Sequence, residues 1–342
     1  MTYNVTIKPS GHKFRIEASE PILERALNEG LALPYGCRNG SCGSCIGKVL
    51  SGQFAYLDGM PSGITPQEQE DGKALFCQAC PRSDLVIEVR EVEAARDIVV
   101  RTLPCRVMSM KKLAPDVVRL CVKLPAADRL QFLAGQYIDI ILRDGRRRGF
   151  SLANAPHADE FLELHIRHVP GGEFTTFVFQ EMRDKTILRF QGPLGSFFLR
   201  EDSRRPIIMM AGGTGFAPLK GMLEHIFFAR ITRPIHLYWG ARALPDLYMN
   251  ELPESWAEEH ATFRYTPVLS EPQPADHWRG RTGLVHRAVA ADYPHLDRHE
   301  LYMSGPPAMI NVARATFTAQ GLKPEHLFFD SFDFAIESRT PA

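Results

Sequence analysis

Residues 34–45 read PYGCRNGSCGSC, and the segment FCQAC follows at residues 76–80. The first segment spaces three cysteines as C-x4-C-x2-C, and the second adds a distant fourth. Glycines stand among the cysteines, and glycine lets a backbone turn tightly and approach a bound group closely. This pattern predicts a loop that wraps around a metal centre and turns its N–H groups towards it. The cysteines are Cys37, Cys42, Cys45 and Cys77, and the glycines are Gly36, Gly40, Gly43 and Gly47.

The cysteine spacing is that of four thiolates holding a [2Fe–2S] cluster. A competing interpretation pairs Cys42-x2-Cys45 with Cys77-x2-Cys80 as the two knuckles of a structural zinc site. The gap of 31 residues between those knuckles exceeds the usual zinc-ribbon spacing, and Cys37 would then have no role. The iron–sulfur cluster is therefore favoured. The other cysteines, Cys80, Cys105 and Cys121, are expected to be small buried apolar side chains.

The composition is that of an ordinary globular protein. The 342 residues allow two or three domains, and 44% of them are hydrophobic and 23% charged. Lys+Arg and Asp+Glu both number 40, and this zero net charge argues against a dedicated binder of nucleic acids or anionic membranes. Residues 93–205 are basic, with 19 Lys and Arg against 14 Asp and Glu. A basic middle part suits a cofactor that carries a diphosphate.

The chain is expected to be a cytoplasmic monomer. Its N-terminus lacks a charged region followed by an apolar run, as a secretory signal would have. Its longest apolar stretches, such as Ile207 to Ala211, are too short to span a bilayer. Five of the seven cysteines lie between Cys37 and Cys80, and such an odd, clustered set favours metal over disulfides in a reducing compartment.

The pattern of apolar residues divides the chain into three predicted domains. In residues 1–92, alternating residues around a Pro-Ser-Gly turn predict a hairpin, and the stripe from Ile22 to Leu27 predicts a helix. In residues 100–202, short strands separated by turns predict an antiparallel barrel. In residues 203–342, strand-like runs alternate with helical segments, which is typical of a doubly wound parallel sheet.

Residues 148–154 read RGFSLAN, which resembles the R-x-Y-S flavin signature of the ferredoxin–NADP⁺ reductase superfamily. The resemblance implies that Arg148 pairs with a flavin phosphate, Phe150 stacks on the isoalloxazine ring and Ser151 donates a hydrogen bond to flavin N5. Leu152 belongs to the same predicted contact. Phe150 replaces the usual tyrosine, so the stacking is expected to remain and the hydroxyl contact to be lost.

A second segment resembles the part of the superfamily that approaches the FAD diphosphate. It runs from His165-Ile166-Arg167 to the GGEFT sequence at residues 171–175. Thr175 is expected to open a helix whose N-terminus favours an anion. A plain glycine turn in a barrel is the alternative, and FMN is the alternative to FAD. The implied contacts are His165, Ile166, Arg167, Gly171, Gly172, Phe174 and Thr175.

A glycine turn follows the strand-like run at residues 207–211 and precedes an amphipathic helix. Glycines between a strand and a helix let the backbone approach a pyrophosphate, whose charge the helix N-terminus favours. The turn resembles the GGTGxxP pyridine-nucleotide segment of the same superfamily. The implied contacts are Gly212, Gly213, Thr214, Gly215 and Pro218.

Three further segments resemble parts of the nucleotide and flavin sites. Asp246, after WGAR at residues 239–242, would favour the 2′-hydroxyl of NADH, although Arg242 could read the 2′-phosphate of NADPH. The segment SGPPAM resembles C-G-x-x-x-M beside the nicotinamide, with Ser304 in place of cysteine. In the segment FFDSFDF, Phe332 either covers a flavin face or completes a buried strand. The implied nicotinamide contacts are Ser304, Gly305, Pro306 and Met309.

Taken together, these motifs resemble the class IB-type oxygenase reductases over nearly the whole chain. That family implies a β-grasp ferredoxin domain, a barrel that binds FAD and an α/β domain that binds NAD. NADH gives up two electrons as hydride and the cluster accepts one at a time, so a flavin is expected between them. Ser151, Phe150 and Ser304 are expected around the hydride transfer. The sequence contains no signature of a metalloprotease, a serine hydrolase or a kinase.

The expected electron acceptor is an oxygenase component, either a Rieske dioxygenase or a di-iron monooxygenase. An alternative is a reductase of the CDP-6-deoxy-3,4-glucoseen type, which serves a pyridoxamine-phosphate dehydratase. The segments SDLVIEVREV and LHIRHVPGGEFT resemble that lineage closely. A hypothesis of another class is a flavin reductase fused to a binding module that zinc stabilises.

Overall fold

The computed structural model describes residues 1–95 and 97–332. The chain divides into two compact units, of which the first comprises residues 1–99 with 195–197 and the second comprises the remainder. The predicted barrel and the predicted parallel sheet both lie in the second unit, and the predicted domain limits remain predictions. No helix in the described part of the chain is long and apolar enough to cross a membrane.

The first unit has the β-grasp arrangement. Its elements are β1 (Thr2–Lys8), β2 (Lys13–Glu17), α1 (Ile22–Asn28), β3 (Ile46–Ser51), β4 (Phe54–Tyr56), α2 (Pro66–Glu70), β5 (Lys73–Leu75), β6 (Ala79–Pro81) and β7 (Leu85–Glu88). β1 and β2 form the predicted hairpin, with Val5 opposite Phe14. The main sheet has the order β2-β1-β7-β3-β5, and β7 pairs in parallel with β1. The cysteine-rich loop connects the end of α1 to the start of β3.

Helix α1 covers the sheet of the first unit with one apolar side. Ile22, Leu23 and Ala26 are buried, as their helical spacing predicts. The helix ends at Asn28, and Gly30, whose φ of +75° suits glycine, turns the chain so that the N–H of Leu31 returns to the Ala26 carbonyl. This end directs the chain into the cysteine-rich loop.

The second unit begins with an antiparallel barrel. Its strands are β8 (Arg101–Ala114), β9 (Val117–Lys123), β10 (Tyr137–Ile141), β11 (Arg147–Ser151), β12 (Leu162–Arg167) and β13 (Ile187–Leu194). They form a sheet of order β11-β10-β13-β8-β9-β12, and a bridge between Leu152 and Leu164 closes its two edges. Alternate strand residues fill the interior, and α3 (Glu173–Gln180) adds Phe174 and Val178 to that core.

The chain continues into a parallel sheet with helices on its faces. Its strands are β14 (Ile207–Gly212), β15 (Ile235–Ala241), β16 (Phe263–Leu269), β17 (Arg281–Thr282), β18 (Glu300–Gly305) and β19 (Leu327–Ser331), and its helices are α4 (Phe216–Phe228), α5 (Glu251–Glu259), α6 (Val285–Asp292) and α7 (Pro307–Ala319). The order is β17-β16-β15-β14-β18-β19. The direction of winding therefore reverses between β14 and β18. In such sheets ligands bind at the carboxyl ends of the strands where this reversal occurs.

Candidate functional site

The four cysteines of the predicted cluster meet as two pairs in the first unit. The backbone N–H of Cys37 lies 3.4 Å from the Sγ of Cys42, and the N–H of Cys42 lies 3.4 Å from the Sγ of Cys37. Cys45 and Cys77 form the second pair through a hydrogen bond between their side chains. Two thiols on each side of a centre match the two ligands that each iron of a [2Fe–2S] cluster requires.

The two thiols of each pair are hydrogen-bonded to each other, so the pKa of one is lowered and that of the other is raised. The hydrogen bond with Cys42 lowers the pKa of Cys37 to about 5, although burial opposes the shift, and the same bond raises the pKa of Cys42. In the second pair the pKa of Cys77 is lowered and that of Cys45 is raised, again through their mutual hydrogen bond. The thiolate is the form that binds a metal, and a lowered pKa makes it easier to form.

The cysteine-rich loop stabilises negative charge on sulfur. The Ser41 hydroxyl donates to the Sγ of Cys37 over 3.4 Å, and the N–H of Ser44 donates to the Sγ of Cys42 over 3.4 Å. Hydrogen bonds to thiolate or sulfide lower the energy of the charged state. Gly40 has a φ of +83°, and a Cβ there would lie 2.8 Å from Pro61. The loop can therefore close over the sulfurs only with glycine at this position.

The two pairs fit a two-iron cluster better than a zinc site. Cys80, which the zinc interpretation needs, instead has its Sγ 3.9 Å from the Gln78 carbonyl, and burial raises its pKa. Within residues 1–95 and 97–332, no three His, Cys, Asp or Glu side chains are grouped to hold a single ion. A structural zinc ion would require four ligands around one point. Of the spare cysteines, Cys80 and Cys105 are buried as expected, whereas Cys121 is partly exposed.

The predicted flavin residues lie along β11 and at its end. The Phe150 ring lies 5.4 Å from the Phe174 ring and packs against the barrel core. Ser151 is only 7% exposed, and its hydroxyl donates to the Asp330 carboxylate over 3.1 Å. Asp330 is a site residue that the sequence analysis missed, although it lies two positions before Phe332 in a segment already singled out. A hydroxyl and a carboxylate so joined can hold a proton at the end of β11.

Some predicted flavin residues are placed where only their backbone could reach a ligand. Leu152 and Ile166 are fully buried in the barrel core. His165 has no exposed side-chain surface, since its Nε2 lies 2.8 Å from Glu163 and its Nδ1 lies 2.9 Å from the Tyr248 hydroxyl. The side chain of His165 is therefore part of a buried network instead of the wall of an open site.

The GGEFT segment forms a tight turn into α3. The prediction that Thr175 opens the helix is wrong by two residues, because α3 begins at Glu173 with Gly172 as its N-cap. The Thr175 hydroxyl folds back, accepting from the Val169 N–H over 3.1 Å and donating to the Gly172 carbonyl over 3.2 Å. A Cβ on Gly172 would lie 2.9 Å from that hydroxyl oxygen, so glycine permits the turn. Gly171 beside it has open space around its Cα.

The nucleotide motifs meet where the winding of the parallel sheet reverses. Ala211 pairs with Ser304 across β14 and β18, so the turn at Gly213–Gly215 lies beside Gly305. A Cβ on Gly215 would lie 2.0 Å from the Ser304 carbonyl oxygen. On Gly212 a Cβ would lie 2.7 Å from Met309 and 2.9 Å from Pro306, so these glycines permit close backbone contact at this edge.

Two orphaned polar side chains at this edge fit a bound dinucleotide. Nε and Nη2 of Arg167 are buried without a hydrogen-bond partner among the described residues, and Nη2 lies 3.5 Å from the position of a Cβ on Gly213. A guanidinium in need of acceptors suits a diphosphate. The Ser304 hydroxyl is also fully buried and has no hydrogen-bond partner within the described chain. Thr214 lies in the turn, and Pro218 is buried in the first turn of α4.

The described part of the C-terminal segment FFDSFDF, residues 328–332, lies beside the nicotinamide motif SGPPAM, residues 304–309. The N–H of Phe332 donates to the Gly305 carbonyl over 2.9 Å, directly after β19. Two hydrogen bonds and the end of β19 thus connect the flavin residue Ser151, through Asp330 and Phe332, to Gly305. Asp333 and Phe334 of the same motif lie outside the described residues.

The predicted ribose residues contact each other. The Asp246 carboxylate lies 3.6 Å from the Arg242 Nε and accepts from the Ala243 N–H over 3.2 Å. The Arg242 side chain remains 66% exposed, whereas that of Asp246 is 18% exposed. Asp246 therefore both closes its own turn and offsets the charge of Arg242.

Comparison with known proteins places each part of the chain. Residues 5–82 match the 2Fe-2S iron-sulfur cluster binding domain, residues 104–199 the oxidoreductase FAD-binding domain and residues 209–315 the oxidoreductase NAD-binding domain. The CDP-6-deoxy-L-threo-D-glycero-4-hexulose-3-dehydrase reductase of Yersinia pestis is 37% identical over 97% of this chain and 99% of its own length. The chain belongs to the family of iron–sulfur flavoprotein reductases.

Other relatives of the reductase carry names that refer to different enzyme systems. The phenol hydroxylase P5 protein of Acinetobacter pittii is 35% identical, over 97% of this chain and 95% of its own length. Among solved structures, an Amycolatopsis cytochrome P450 reductase matches with a TM-score of 0.77 and 32% identity, over 96% of this chain and 98% of its own. The predicted superfamily and fold class are confirmed, and so is a cofactor set of a [2Fe–2S] cluster, FAD and a nicotinamide dinucleotide. The choice of NADH over NADPH stays a prediction.

Two serine substitutions test the cysteine pairs of the reductase. We expect Cys37→Ser to abolish the iron–sulfur absorption of anaerobically purified protein and leave the flavin bands, because one iron loses a thiolate. Cys80→Ser is the matched control and is expected to retain full iron content and absorption. Iron retained in the first variant and lost in the second would contradict the pairing.

Proposed function

We propose that this reductase takes electrons from NADH and delivers them singly to a separate oxygenase component. The observation that carries the proposal is the hydrogen bond from Ser151 to Asp330, because it joins the flavin segment to the strand beside the nicotinamide motif. When bound, FAD accepts an electron pair from the nicotinamide and releases electrons one at a time, as the cluster requires.

Residues of the second unit would hold and orient the two nucleotides. Arg148 would pair with the flavin phosphate, and the Gly171–Gly172 turn would admit the FAD diphosphate. Arg167 would offer its unpartnered nitrogens to a diphosphate at the Gly213–Gly215 turn. The charge-assisted hydrogen bonds of a guanidinium to phosphate are among the stronger ones in proteins.

Side chains around the reacting atoms would position and shield them. The Ser151 hydroxyl, oriented by Asp330, would hold a proton at the flavin N5 edge. Phe150 and Phe332 would cover the flavin faces, and Ser304 would lie beside the nicotinamide. The two cysteine pairs, Cys37 with Cys42 and Cys45 with Cys77, would hold one iron each.

A dehydratase is the second candidate acceptor. The relative from Yersinia pestis, named a dehydrase reductase, has 37% identity, slightly more than the 35% of the phenol hydroxylase protein. The oxygenase candidate is supported by the phenol hydroxylase protein and by the cytochrome P450 reductase. A cytoplasmic, monomeric reductase would suit either acceptor, and none of the cysteines in the described residues forms a disulfide.

We propose that the acceptor docks on a surface beside the cysteine-rich loop, called the cluster face and defined by Cys37, Arg38, Leu57 and Met60. Leu57 is 54% exposed and Met60 56% exposed. Their loop packs on the cysteine-rich loop, since the Gly63 N–H donates to the Gly40 carbonyl over 2.9 Å. Exposed apolar side chains next to a redox centre suit a transient protein contact, which must be close yet reversible.

Polar substitutions test the cluster face. We expect Leu57→Gln with Met60→Gln to raise the KM for cytochrome c, used as a one-electron protein acceptor, by about three- to tenfold, since apolar burial at the contact is lost. Leu50→Gln is the matched control, because Leu50 is 47% exposed on β3. It stands five residues, or about 16 Å of strand, beyond Cys45. Equal effects of both changes would refute the cluster face.

Coenzyme selection is tested at Asp246. We expect Asp246→Asn to raise kcat/KM for NADPH about tenfold, equivalent to about 1.4 kcal/mol, because the repulsive charge is removed and Arg242 is released. The asparagine oxygen can still accept from the Ala243 N–H. Adding Arg242→Ala should abolish the gain, and a gain that survives the double substitution would show that Arg242 is not the 2′-phosphate ligand.

Anaerobic addition of NADH tests the function as a whole. Flavin and iron–sulfur absorption should both decrease, and a purified oxygenase component should then restore the oxidised spectrum. Restoration by a pyridoxamine-phosphate dehydratase, and by no oxygenase component, would favour the second candidate. Loss of the flavin bands alone would contradict electron transfer through the cluster.

A further inference from the structure

Helix α4 connects the nucleotide turn to the flavin segment within the second unit. The nucleotide turn is Gly213–Gly215, and α4 begins directly after it at Phe216. The flavin segment is residues 148–154. Nearly every side chain of the first half of α4 is buried, including the charged Lys220, which is 4% exposed. A charge is seldom buried without partners, so Lys220 requires an explanation.

The Lys220 ammonium has three acceptors around it. Nζ donates to the Ala153 carbonyl over 3.0 Å and to Glu224 over 2.7 Å, and it lies 3.3 Å from Glu163. A lysine has three N–H donors, so this set satisfies it fully. Ala153 belongs to the flavin segment, two residues after Ser151. The helix that follows the nucleotide turn is therefore hydrogen-bonded to the backbone of the flavin segment.

Gly221 brings α4 against the same backbone. A Cβ there would lie 2.9 Å from the Asn154 carbonyl oxygen and 3.1 Å from the Leu152 carbonyl oxygen. Both distances are shorter than ordinary contacts of a Cβ with oxygen. The approach is therefore as close as the backbone alone permits, and any side chain would push the flavin segment outwards.

The network extends from Lys220 into the barrel and towards β15. Glu163 on β12 contacts Lys220 and also accepts from the His165 Nε2 over 2.8 Å. Burial would raise the pKa of Glu163, but the hydrogen bond from His165 and the charge of Lys220 outweigh it and lower the pKa to about 2. Burial lowers the pKa of His165, and Glu163 opposes that shift only in part, so the ring is neutral.

The neutral His165 ring completes a chain of contacts back to the nucleotide turn. Its Nδ1 accepts from the Tyr248 hydroxyl over 2.9 Å, and the Tyr248 ring lies edge-on to Trp239 at 5.1 Å. Trp239 donates from Nε1 to the Gly213 carbonyl over 2.9 Å. Two connections thus link the flavin segment to the nucleotide turn. One is helix α4, and the other is the series of contacts through His165, Tyr248 and Trp239.

We propose that Lys220 and Gly221 are positioning residues that fix the distance between the flavin segment and the nucleotide turn, and thereby the geometry of hydride transfer. The inference rests on the proposed function of those two segments. Lys220 stands four residues, or about 6 Å of helix, from the first residue after the nucleotide turn. Because a helix is stiff over one turn, a shift at Gly221 changes the approach of the two cofactors without removing a contact to either.

The substitution Gly221→Ala tests this proposal most directly. The added methyl would displace the flavin segment by a few tenths of an ångström, and a misplacement of about 1 Å can cost about 10²-fold in rate. We expect the limiting rate of flavin reduction by NADH to fall at least tenfold. FAD content and the Kd for ADP-ribose, which binds without a nicotinamide, should stay within about twofold of wild type. The long-wavelength charge-transfer absorbance of reduced protein with NAD⁺ should weaken.

A second variant, Lys220→Met, loosens the same contact by removing the charge. It leaves Glu163 and Glu224 without their cation, so it should lower the melting temperature as well as the limiting rate. Val289→Ala is the control for lost stability, because Val289 is fully buried in the core formed by α6 and the parallel sheet. It should lower the melting temperature and leave the limiting rate unchanged.

Three outcomes would overturn the inference. A limiting rate within about twofold of wild type in Gly221→Ala would show that the contact does not set the geometry. A rate loss that tracks lost FAD or weaker ADP-ribose binding would show a structural role only. An equal rate loss in Val289→Ala would show general loosening. Failure of the wild-type flavin to be reduced by NADH would instead refute the proposed function.

Discussion

The second unit of this protein depends on the close backbone contact between the turn that follows β14 and the end of β18. Gly215 approaches the Ser304 carbonyl so closely that a Cβ would lie 2.0 Å from its oxygen. This contact opens the turn into α4 at a defined angle and brings Gly305 beside it. The C-terminal strand then pairs with β18, which carries Asp330 to Ser151. The nucleotide edge, the helix and the flavin segment all take their places from this one contact.

Buried charges also help to fix the placement of the barrel against the parallel sheet. Lys220, Glu163 and Glu224 are ionisable groups removed from water, which is costly unless each charge is compensated. Here the compensation comes from different elements: the end of β11, β12 and α4. The barrel and the parallel sheet can therefore satisfy these charges only in one relative placement. Specificity of orientation, and not added stability, is the expected benefit of such a network.

Much of this organisation could be predicted from the sequence, because periodicity and glycine position are local signals. The cysteine spacing predicted the [2Fe–2S] cluster, and the change from alternating to βαβ patterns predicted the barrel and the parallel sheet. Lys220 and Asp330 were missed for a common reason. A lysine on a helix or an aspartate on a last strand is ordinarily a solvated side chain, and burial follows only from tertiary packing. Thr175 was misjudged because its hydroxyl closes a turn that Gly172 begins.

The hydrogen bond between Ser151 and Asp330 joins residues that are 179 positions apart in the chain. Ribosomes add about 5–20 residues per second, so the carboxylate emerges roughly 10–35 s after the hydroxyl it orients. Domains generally fold as units during synthesis, and the barrel can close before β19 exists. A nascent flavoprotein of this kind would thus pass through a period in which its flavin pocket is built but its redox edge is unfinished. The contact between Ser151 and Asp330 can therefore form only after the last strand of the parallel sheet has been made.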